Sequence, residues 1–378
     1  MTVHLDISEL VREPRRTGIQ RVERELIRHW PGAAPLQPCC YDGTAGTLRF
    51  LPRTVLEVLC GDAPPGGIAA ERARLAPHLR LGPPVPDSAR VLNAELFTDA
   101  ARAGHYHHRA AHGADVSWLV YDFLPWLEPQ WFNPDTARWL MPYLRALRAV
   151  PRLSFISGKS RADYIARIAR RPGELAPEAG PVLFLGGDGL GLERQAFAPS
   201  RQDFVMLGSL EPRKHSAAVM RAFQALWAQG SGATLTLIGH AAPDMRAERA
   251  LLGELAGERR FRHLQNLPDA GVRDVLRGAR ALLFPSEGEG FGLPAMEALH
   301  AGLPVVVSAG LPCLADLPAL GQIRLGAVDA PAIAGAVQVL SGDTAAARLW
   351  AEVASLDVPT WRSFAKAAAA WMERPGPG

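Results

Sequence analysis

The sequence lacks the features that mark secreted, metal-binding and membrane-spanning proteins. Its 4 cysteines include the adjacent pair Cys39 and Cys40, and their spacing fits neither a metal site nor a disulfide framework, which favours a reducing compartment. No apolar run approaches the roughly 18 residues that a membrane-spanning helix needs. The amino-terminal MTVHLDISEL has neither the basic segment nor the apolar core of a signal peptide. We therefore expect a cytoplasmic location.

Charge of the two signs is nearly balanced, and lysine is scarce. A formal net charge of +3 over 378 residues argues against nucleic-acid binding, because a polyanion requires a concentrated basic face. Only 3 of the 41 basic residues are lysines, namely Lys159, Lys214 and Lys366. In a chain that otherwise uses arginine, a lysine beside an arginine is a candidate for a site that needs a compact point charge.

Length and periodicity predict two α/β domains. A chain of 378 residues exceeds the usual size of a single core. Short apolar runs alternate with helical patterns, which implies parallel sheets covered by helices on both faces. The glycine-rich stretch 185–200 interrupts this alternation and is the expected linker. The predicted strands are VHLDIS, ARVLNAE, VSWLVYDFL, RLSFIS, PVLFLGG, DFVMLGS, ATLTLIG, ARALLFPS and LPVVVSA, and the predicted helices include QRVERELIRHW, TARWLMPYLRALRAV, SAAVMRAFQALWAQ and GVRDVLRGA.

A basic loop follows a predicted strand in the second half of the chain. In FVMLGSLEPRKHSAAVMRAF the strand ends at Gly208 and a helix opens near Ser216. Ligands of open α/β sheets collect at the carboxyl ends of strands, and a helix N-terminus there favours anions. Arg213 and Lys214 add two cations at the same place, which suits a diphosphate. The alternative is a solvated pair of basic residues at a helix start.

Glycines and glutamates are crowded in SEGEGFGLPAMEALHAG, residues 286–302. Pro294 has the features of a first helical residue and Gly302 those of the residue just past a helix end, which places Glu297 in the first turn. Helical side chains lean towards the N-terminus, so we expect its carboxylate near the loop that holds Glu289. Three glycines in this loop let a ligand approach the backbone closely. The carboxylates can accept hydrogen bonds from hydroxyls, and the backbone N–H groups can bind a phosphate. A ligand with both groups is a nucleotide sugar. The alternative interpretation is a glycine-rich turn followed by an acidic helix start.

These two motifs together resemble those of a known enzyme family. EGFGLPAMEAL, with seven residues between Glu289 and Glu297, resembles the E-x7-E motif of retaining GT-B glycosyltransferases of family four. GSLEPRKH resembles the donor-diphosphate loop GTxEPRKN of that family, with Ser209 and His215 as departures. The resemblance implies two Rossmann-like, doubly wound domains facing a central cleft. It assigns residues 1–190 to acceptor binding and 198–357 to the donor, with a C-terminal helix at 359–374 that packs back on the first domain.

The resemblance also implies roles for particular residues. Glu289 would contact the donor sugar, Glu297 the ribose hydroxyls, and Arg213 and Lys214 the diphosphate. Asp122 is the candidate for orienting the acceptor or the donor sugar, and in VYDFLP the residue before it is a tyrosine where the family often has histidine. The resemblance assigns further donor positions to Gly208, Ser209, Gly239, Leu267, Gly290, Phe291, Gly292 and Leu293, and acceptor positions to Gly18, Tyr121 and Ser157.

The first half narrows the expected reaction. LDISELVREPRRTGIQRVERELIRHW and WLVYDFLPWLEPQWF are similar to bacterial transferases that build O-antigen, capsule or exopolysaccharide. The implied reaction is retaining transfer of a sugar from a nucleotide sugar, GDP-mannose or a GDP-deoxyhexose first and a UDP-sugar next, to a glycan or lipid-linked glycan. No two aspartates are separated by a single residue, so the usual DxD metal site is absent. We predict neither a metal nor a cofactor. Base choice would depend on loops such as QNLPDAG and GHAAPDM.

Other interpretations of the function and of individual motifs stay open at this point. A nucleotide-sugar 2-epimerase or a noncatalytic sugar-nucleotide binder would keep the same second half. The SGKS stretch is not a P-loop, because the glycine required at position 153 is a leucine. His108 and His112 are candidate metal ligands on one helical face, with a solvated helix or loop as the favoured alternative. The TARWLMPYLRALRAV pattern is most often a core helix, and a basic amphipathic helix at the inner face of the cytoplasmic membrane is the alternative.

Overall fold

The computed structural model describes residues 2–32, 35–61, 64, 66–169, 179–241 and 245–374. The chain forms two compact units. The first comprises Met1–Leu185 together with Trp361–Gly378, and the second comprises Gly186–Thr360. Among the helices that the structure describes, none is both long and apolar enough to cross a bilayer.

The first unit is built on a six-stranded sheet of order β3-β2-β1-β4-β5-β6. All neighbouring pairs are parallel except β2 and β3, which pair antiparallel. The expectation of purely parallel sheets was therefore wrong at this edge, because the short turn between β2 and β3 leaves no room for a crossover. The strands are β1 Val3–Asp6, β2 Leu36–Asp42, β3 Thr47–Phe50, β4 Val91–Asn93, β5 Val116–Val120 and β6 Arg152–Phe155.

Two predicted elements of the first unit differ from the structure. PVLFLGG is not a strand, because Val182 makes only an isolated bridge to Phe155. The stretch TARWLMPYLRALRAV is not one helix but two short ones that meet at Leu140, since Pro142 has no N–H to continue a helix. The helices are α1 Ser8–Arg12, α2 Gly18–His29, α3 Thr54–Cys60, α4 Gly67–Leu75, α5 Ala100–Ala111, α6 Leu124–Leu127, α7 Thr136–Trp139, α8 Met141–Leu147 and α9 Gly158–Asp163.

The second unit is a fully parallel sheet of order β12-β11-β10-β7-β8-β9. Its strands are β7 Asp203–Leu207, β8 Thr234–Ile238, β9 Phe261–Leu264, β10 Ala279–Phe284, β11 Val305–Ser308 and β12 Gln322–Leu325. Every residue of the central β10 is buried, as expected for a strand covered on both faces. The helices are α10 Ser216–Ala228, α11 Arg246–Leu255, α12 Asp269–Gly278, α13 Leu293–His300, α14 Ala330–Ser341 and α15 Asp343–Ala354.

The last helix, α16 Trp361–Glu373, belongs to the first unit. Trp361 is fully buried there. The guanidinium of Arg152 donates to the carbonyl of Trp371 at 2.6 Å, and Arg90 donates to the carbonyl of Met372. Two arginines of the first sheet, one in β6 and one just before β4, therefore donate to carbonyls in the last turn of this helix.

Strand order fixes where each unit can hold a ligand. In the second unit the chain leaves β7 towards β8 on one side and returns to β10 on the other, so the switch point lies between β7 and β10. In the first unit the corresponding point lies between β1 and β4. Ligands of open α/β sheets bind outside the carboxyl ends of the strands at such points.

Gly239 lies where the ends of two strands of the second unit approach each other closely. Its φ is +152°, and a Cβ there would lie 1.9 Å from the carbonyl oxygen of Gly208. We expect Gly239→Ala to lower the free energy of unfolding by at least about 2 kcal/mol, since backbone strain alone costs of order 1–3 kcal/mol. Thermal unfolding measures the effect. Gly253→Ala in α11 is the matched control, because a Cβ there meets nothing within 4 Å, and a drop of similar size in that variant would contradict the clash.

Candidate functional site

The loop after β7 holds the predicted basic pair in a fixed shape. Pro212–Lys214 forms a single 3-10 turn, His215 takes a left-handed conformation with φ 56°, and α10 then begins at Ser216. Gly208 has a φ of +133°, and a Cβ there would lie 2.7 Å from Lys214 Nζ. The missing side chain at Gly208 therefore makes room for the ammonium of Lys214 beside the backbone.

Arg213 joins this loop to the loop after β10. Its Nε donates to Glu211 Oε2 at 2.7 Å, and its Nη1 donates to Glu289 Oε1 at 3.2 Å and to the carbonyl of Gly288. The backbone N–H of Glu287 donates to the Arg213 carbonyl at 3.0 Å. One guanidinium thus holds carboxylates from both loops, and its side chain is 14% exposed.

Lys214 is the buried cation of this site. The residue is 9% exposed, and its Nζ lies 6.0 Å from the centroid of the Phe284 ring. Burial lowers the pKa of the Lys214 ammonium, and the nearby carboxylate of Glu289 opposes that shift. A buried ammonium is stabilised by an opposite charge, so this position favours an anionic ligand.

The two predicted glutamates occupy different environments. Glu289 Oε1 also accepts a hydrogen bond from Ser286 Oγ at 2.9 Å, and its side chain is 16% exposed. Leu293, and not Pro294, begins α13, so Glu297 is its fifth residue and is buried. Gly302 lies just past the end of this helix with a φ of +79°.

The other predicted donor positions differ in their contacts and exposure. Ser209 Oγ donates to Glu211 Oε1. Gly292 has a φ of +111° and precedes α13, and a Cβ there would lie 3.0 Å from Leu311. Gly290 and Phe291 are buried, whereas Leu293 and Leu267 are partly exposed. Residues 242–244 of the GHAAPDM loop lie outside the described residues.

The predicted acceptor positions of the first unit differ in their solvent exposure. Gly18 is exposed and begins α2. Tyr121 is buried, and its hydroxyl donates to the carbonyl of Ala94 at 2.7 Å. Ser157 is fully buried and caps α9 through the N–H of Ser160 at 3.1 Å. Asp122 is partly exposed, and its Oδ1 accepts the N–H of residue 124 at 3.0 Å.

The first unit also contains a buried cluster of charges that the sequence did not reveal. Arg102 donates to Asp6 Oδ2 from Nε at 3.0 Å and from Nη2 at 2.6 Å, and to Glu95 Oε2 from Nη2 at 2.5 Å. Tyr106 donates to the same Asp6 oxygen at 2.5 Å. Asp6 ends β1 and Glu95 follows β4. In the sequence, this cluster is indicated only by the acidic residues Asp6 and Glu95, which lie near the ends of two predicted strands.

Glu23 of α2 lies beside this cluster without a hydrogen-bond partner. It is 1% exposed, and among the described residues neither of its carboxyl oxygens accepts or donates a hydrogen bond. Burial raises the pKa of Glu23 well above its ordinary value, and the neighbouring charge of Glu95 adds to the shift. Burial also raises the pKa of Glu95, to about 7, but the charge of Arg102 and hydrogen bonds from two backbone N–H groups oppose that shift, whereas the carboxyl oxygens of Glu23 accept no hydrogen bond among the described residues.

Comparison with known proteins assigns a family to the second unit. Residues 192–325 match the family described as "Glycosyl transferases group 1". The chain carries a group 1 glycosyltransferase domain. This domain includes the loops after β7 and β10, with Arg213, Lys214, Glu289 and Glu297. The family resemblance of the sequence motifs is thus confirmed.

One relative matches most of the chain, and a second matches about a quarter of it. The chain is 28% identical over 340 residues to the serotype-specific mannosyltransferase WbdA of Escherichia coli, covering 84% of this chain and 39% of that protein. It is 33% identical over 103 residues to the O-antigen chain mannosyltransferase B of the same species, covering 27% of each. The chain therefore spans less than half the length of the WbdA proteins that it matches.

Solved structures share the fold. HepE of Anabaena, solved with UDP and glucose, has a TM-score of 0.65 and 14% identity and covers 99% of both chains. Sucrose-phosphate synthase of Thermosynechococcus elongatus has a TM-score of 0.64 and 15% identity over 98% of both. Together with the two doubly wound sheets, these likenesses confirm the predicted GT-B fold.

The predicted histidine pair in the first unit bears on metal binding. Among the described residues, no three His, Cys, Asp or Glu side chains are grouped so that they could hold a metal ion. The rings of His108 and His112 stack with centroids 4.0 Å apart, and His112 Nδ1 lies 2.7 Å from the carbonyl oxygen of His108. The two histidines therefore contact each other at the C-terminal end of α5.

Glu23 gives the stability of the chain a pH dependence of definite sign. The unfolded chain releases the Glu23 proton near its ordinary pKa of 4.5, whereas the folded chain retains it to higher pH. From about pH 5 upward, rising pH therefore lowers the free energy of unfolding, by at most about 1.4 kcal/mol per pH unit. Urea unfolding of Glu23→Gln should show a weaker decline than the wild type. The exposed Glu57→Gln in α3 is the control, and equal slopes for Glu23→Gln and the wild type would exclude a protonated Glu23.

Proposed function

We propose that the chain is a retaining glycosyltransferase that transfers a hexose from a nucleotide-sugar donor to a glycan or lipid-linked glycan in bacterial surface-polysaccharide synthesis. One observation carries the proposal. Lys214 is a buried ammonium at the switch point of the group 1 domain, lodged against Gly208 and close to Glu289. The similarity to mannosyltransferases supports the choice of sugar and pathway.

The donor diphosphate would bind at Lys214 and the N-terminal end of α10. Glycosyl transfer requires the diphosphate to leave with growing negative charge, and a positioned cation lowers that barrier. With a cation already placed there, we expect no metal requirement. GDP-mannose or a GDP-deoxyhexose is the first candidate donor, and a UDP-sugar is next. HepE, which has the same fold, was solved with UDP-glucose.

The contacts of Glu289 support a binding role for this residue. Arg213 and Ser286 both donate to its Oε1, and these hydrogen bonds reduce the nucleophilicity of the carboxylate. We therefore propose that Glu289 orients the donor sugar and that Glu297 binds the ribose hydroxyls. Retention would then come from front-face attack, in which the leaving phosphate accepts the acceptor proton. Asp122 would orient the acceptor or the donor sugar.

The proposed pathway determines where in the cell the chain would meet its acceptor. A lipid-linked glycan would bring the chain to the inner face of the cytoplasmic membrane as a peripheral protein. Trp139 at the end of α7 is 54% exposed and is the large apolar side chain that such a contact would use. The two short helices α7 and α8 give a smaller amphipathic surface than the single predicted helix.

Nucleotide binding tests the donor site. At 100 times its dissociation constant, the cognate nucleoside diphosphate should stabilise the wild type by about 2.7 kcal/mol without Mg²⁺. Lys214→Ala should weaken binding about tenfold or more, since a charge-assisted hydrogen bond is worth roughly 1.5–3 kcal/mol. A thermal-shift panel of GDP, UDP, dTDP and ADP provides the measurement. The exposed Lys366→Ala in α16 is the control, and unchanged binding in Lys214→Ala would remove the assigned phosphate contact.

Turnover tests the two glutamates of the loop after β10. Glu289→Gln should lower kcat by about 10²-fold, comparable to the loss of one transition-state hydrogen bond, while nucleotide affinity stays within a factor of two or so. Glu287→Gln is the matched control, because Glu287 lies two residues away with a half-exposed side chain that contacts His215 at 2.8 Å. NMR of the product anomer checks retention. Inversion, an equal loss in both variants, or donor interconversion without acceptor would refute the proposal.

A further inference from the structure

The loop after β11 packs against the end of the loop that carries Glu289. Cys313 makes the main polar contacts between them. It lies in the 3-10 turn Pro312–Leu314 and is 0% exposed. Its N–H donates to the carbonyl of Phe291 at 2.9 Å, and its thiol donates to the carbonyl of Gly292 at 3.5 Å. One residue therefore holds two successive carbonyls just before α13 begins.

Gly292 fits closely against this turn. Its φ is +111°, and a Cβ there would lie 3.1 Å from Cys313 Sγ and 3.0 Å from Leu311 Cδ1. A further hydrogen bond joins the end of β11 to the same loop, because Ser308 Oγ donates to the carbonyl of Ser286. Glycine by itself permits many backbone conformations. The conformation at Gly292 is therefore selected by its contacts with the loop after β11.

The Cys313 thiol keeps its proton and can act as a donor. Burial raises the pKa of Cys313 well above its ordinary value, and the charge of Glu289 adds to the shift. A thiolate would have no hydrogen to donate to the carbonyl of Gly292. The contact is therefore a hydrogen bond from a neutral thiol, which is a weak donor.

These hydrogen bonds fix the direction of two backbone N–H groups. In a trans peptide the C=O and the N–H of the same unit point in opposite directions. The carbonyls of Phe291 and Gly292 are bonded to Cys313. The N–H groups of Gly292 and Leu293 therefore point away from Cys313, and neither has an acceptor among the described residues.

We propose that Cys313 is a positioning residue of the donor site: it holds the two peptide groups around Gly292 so that the N–H groups of Gly292 and Leu293 face the donor. The inference rests on the proposed function, which places the donor sugar at Glu289 in the same loop, and it adds a residue from a different loop. Cys313 does not touch the donor, because it is fully buried and lies on the carbonyl side of these peptide groups.

Selective isotope labelling makes the Gly292 amide visible on its own. The dipeptide Phe-Gly occurs once in the chain. Protein that carries ¹³C-carbonyl phenylalanine and ¹⁵N-glycine therefore gives one signal in a carbonyl-filtered NMR spectrum, that of the Gly292 N–H. We expect this signal to shift when the full-length wild type is titrated with GDP or with UDP, because the bound nucleotide supplies an acceptor near it.

Two substitutions separate hydrogen bonding from packing. Cys313→Ala and Cys313→Ser both remove the sulfur, but only serine keeps a donor for the carbonyl of Gly292. Cys313→Ala should weaken nucleotide binding about threefold or more and reduce the shift of the Gly292 signal at saturation to about half or less, as expected for a misdirected hydrogen bond. Cys313→Ser should keep both quantities within a factor of about two of the wild type.

Cys39→Ala in β2 is the matched control. Cys39 is also 0% exposed but belongs to the first unit. Its replacement deletes the same buried atom and should lower the melting temperature, yet leave nucleotide affinity and the Gly292 signal unchanged. A loss of affinity in Cys39→Ala as large as that in Cys313→Ala would overturn the inference, since the effect would then be general destabilisation.

The remaining outcomes separate the inference from the proposed function. Nucleotide binding that leaves the wild-type Gly292 signal unmoved overturns the inference and leaves the donor site in place. Equal losses in Cys313→Ala and Cys313→Ser would make Cys313 a packing residue and overturn it as well. If neither GDP nor UDP stabilises the wild type against thermal unfolding, the proposed donors fail and the inference fails with them.

Discussion

One arginine bridging two carboxylates organises the candidate donor site. Arg213 holds Glu211 of its own loop and Glu289 of the loop after β10. These loops follow strands that are neighbours in the sheet but far apart in sequence, and the guanidinium fixes their separation. A planar group with several donors in fixed directions can serve both carboxylates and a backbone carbonyl at once. The N–H of Glu287 adds a backbone link between the same two loops by donating to the Arg213 carbonyl at 3.0 Å.

The first unit uses the same device at its own switch point. Arg102 bridges Asp6, at the end of β1, and Glu95, just after β4. The two bridges differ in burial, since the Arg102 side chain is 0% exposed and that of Arg213 is 14% exposed. Removing either arginine would leave two carboxylates close together with their charges uncompensated. The strong bias of the chain towards arginine has a structural reason here, because lysine cannot make the same set of directed contacts.

Sequence predicted the parts that depend on neighbouring residues. The apolar strands β5 and β10 and the loops around Lys214 and Glu289 were expected, because periodicity and motif spacing are local properties. The edge strands β3, β9 and β12 were not, since their polar residues interrupt any continuous apolar run. The inner strand β2, LQPCCYD, was also missed, because its proline and polar residues hide the strand pattern. The Arg102 cluster was also missed, because Asp6 and Arg102 are 96 residues apart and only the folded sheet brings them together.

The two switch points retain opposite kinds of buried titratable group beside their arginine bridges. Lys214 is a buried cation whose pKa is lowered by burial, and Glu23 is a buried acid whose pKa is raised by burial. Burial favours the neutral form of both groups, so it acts against the positive charge of Lys214 and against the negative charge of Glu23. An anion near Lys214 would oppose this effect there, because an opposite charge stabilises the ammonium. At Glu23 the neighbouring carboxylate of Glu95 acts in the same direction as burial. The two switch points therefore share an arginine bridge but differ in the sign of the charge that their surroundings disfavour, and only the one in the group 1 domain favours an added anion.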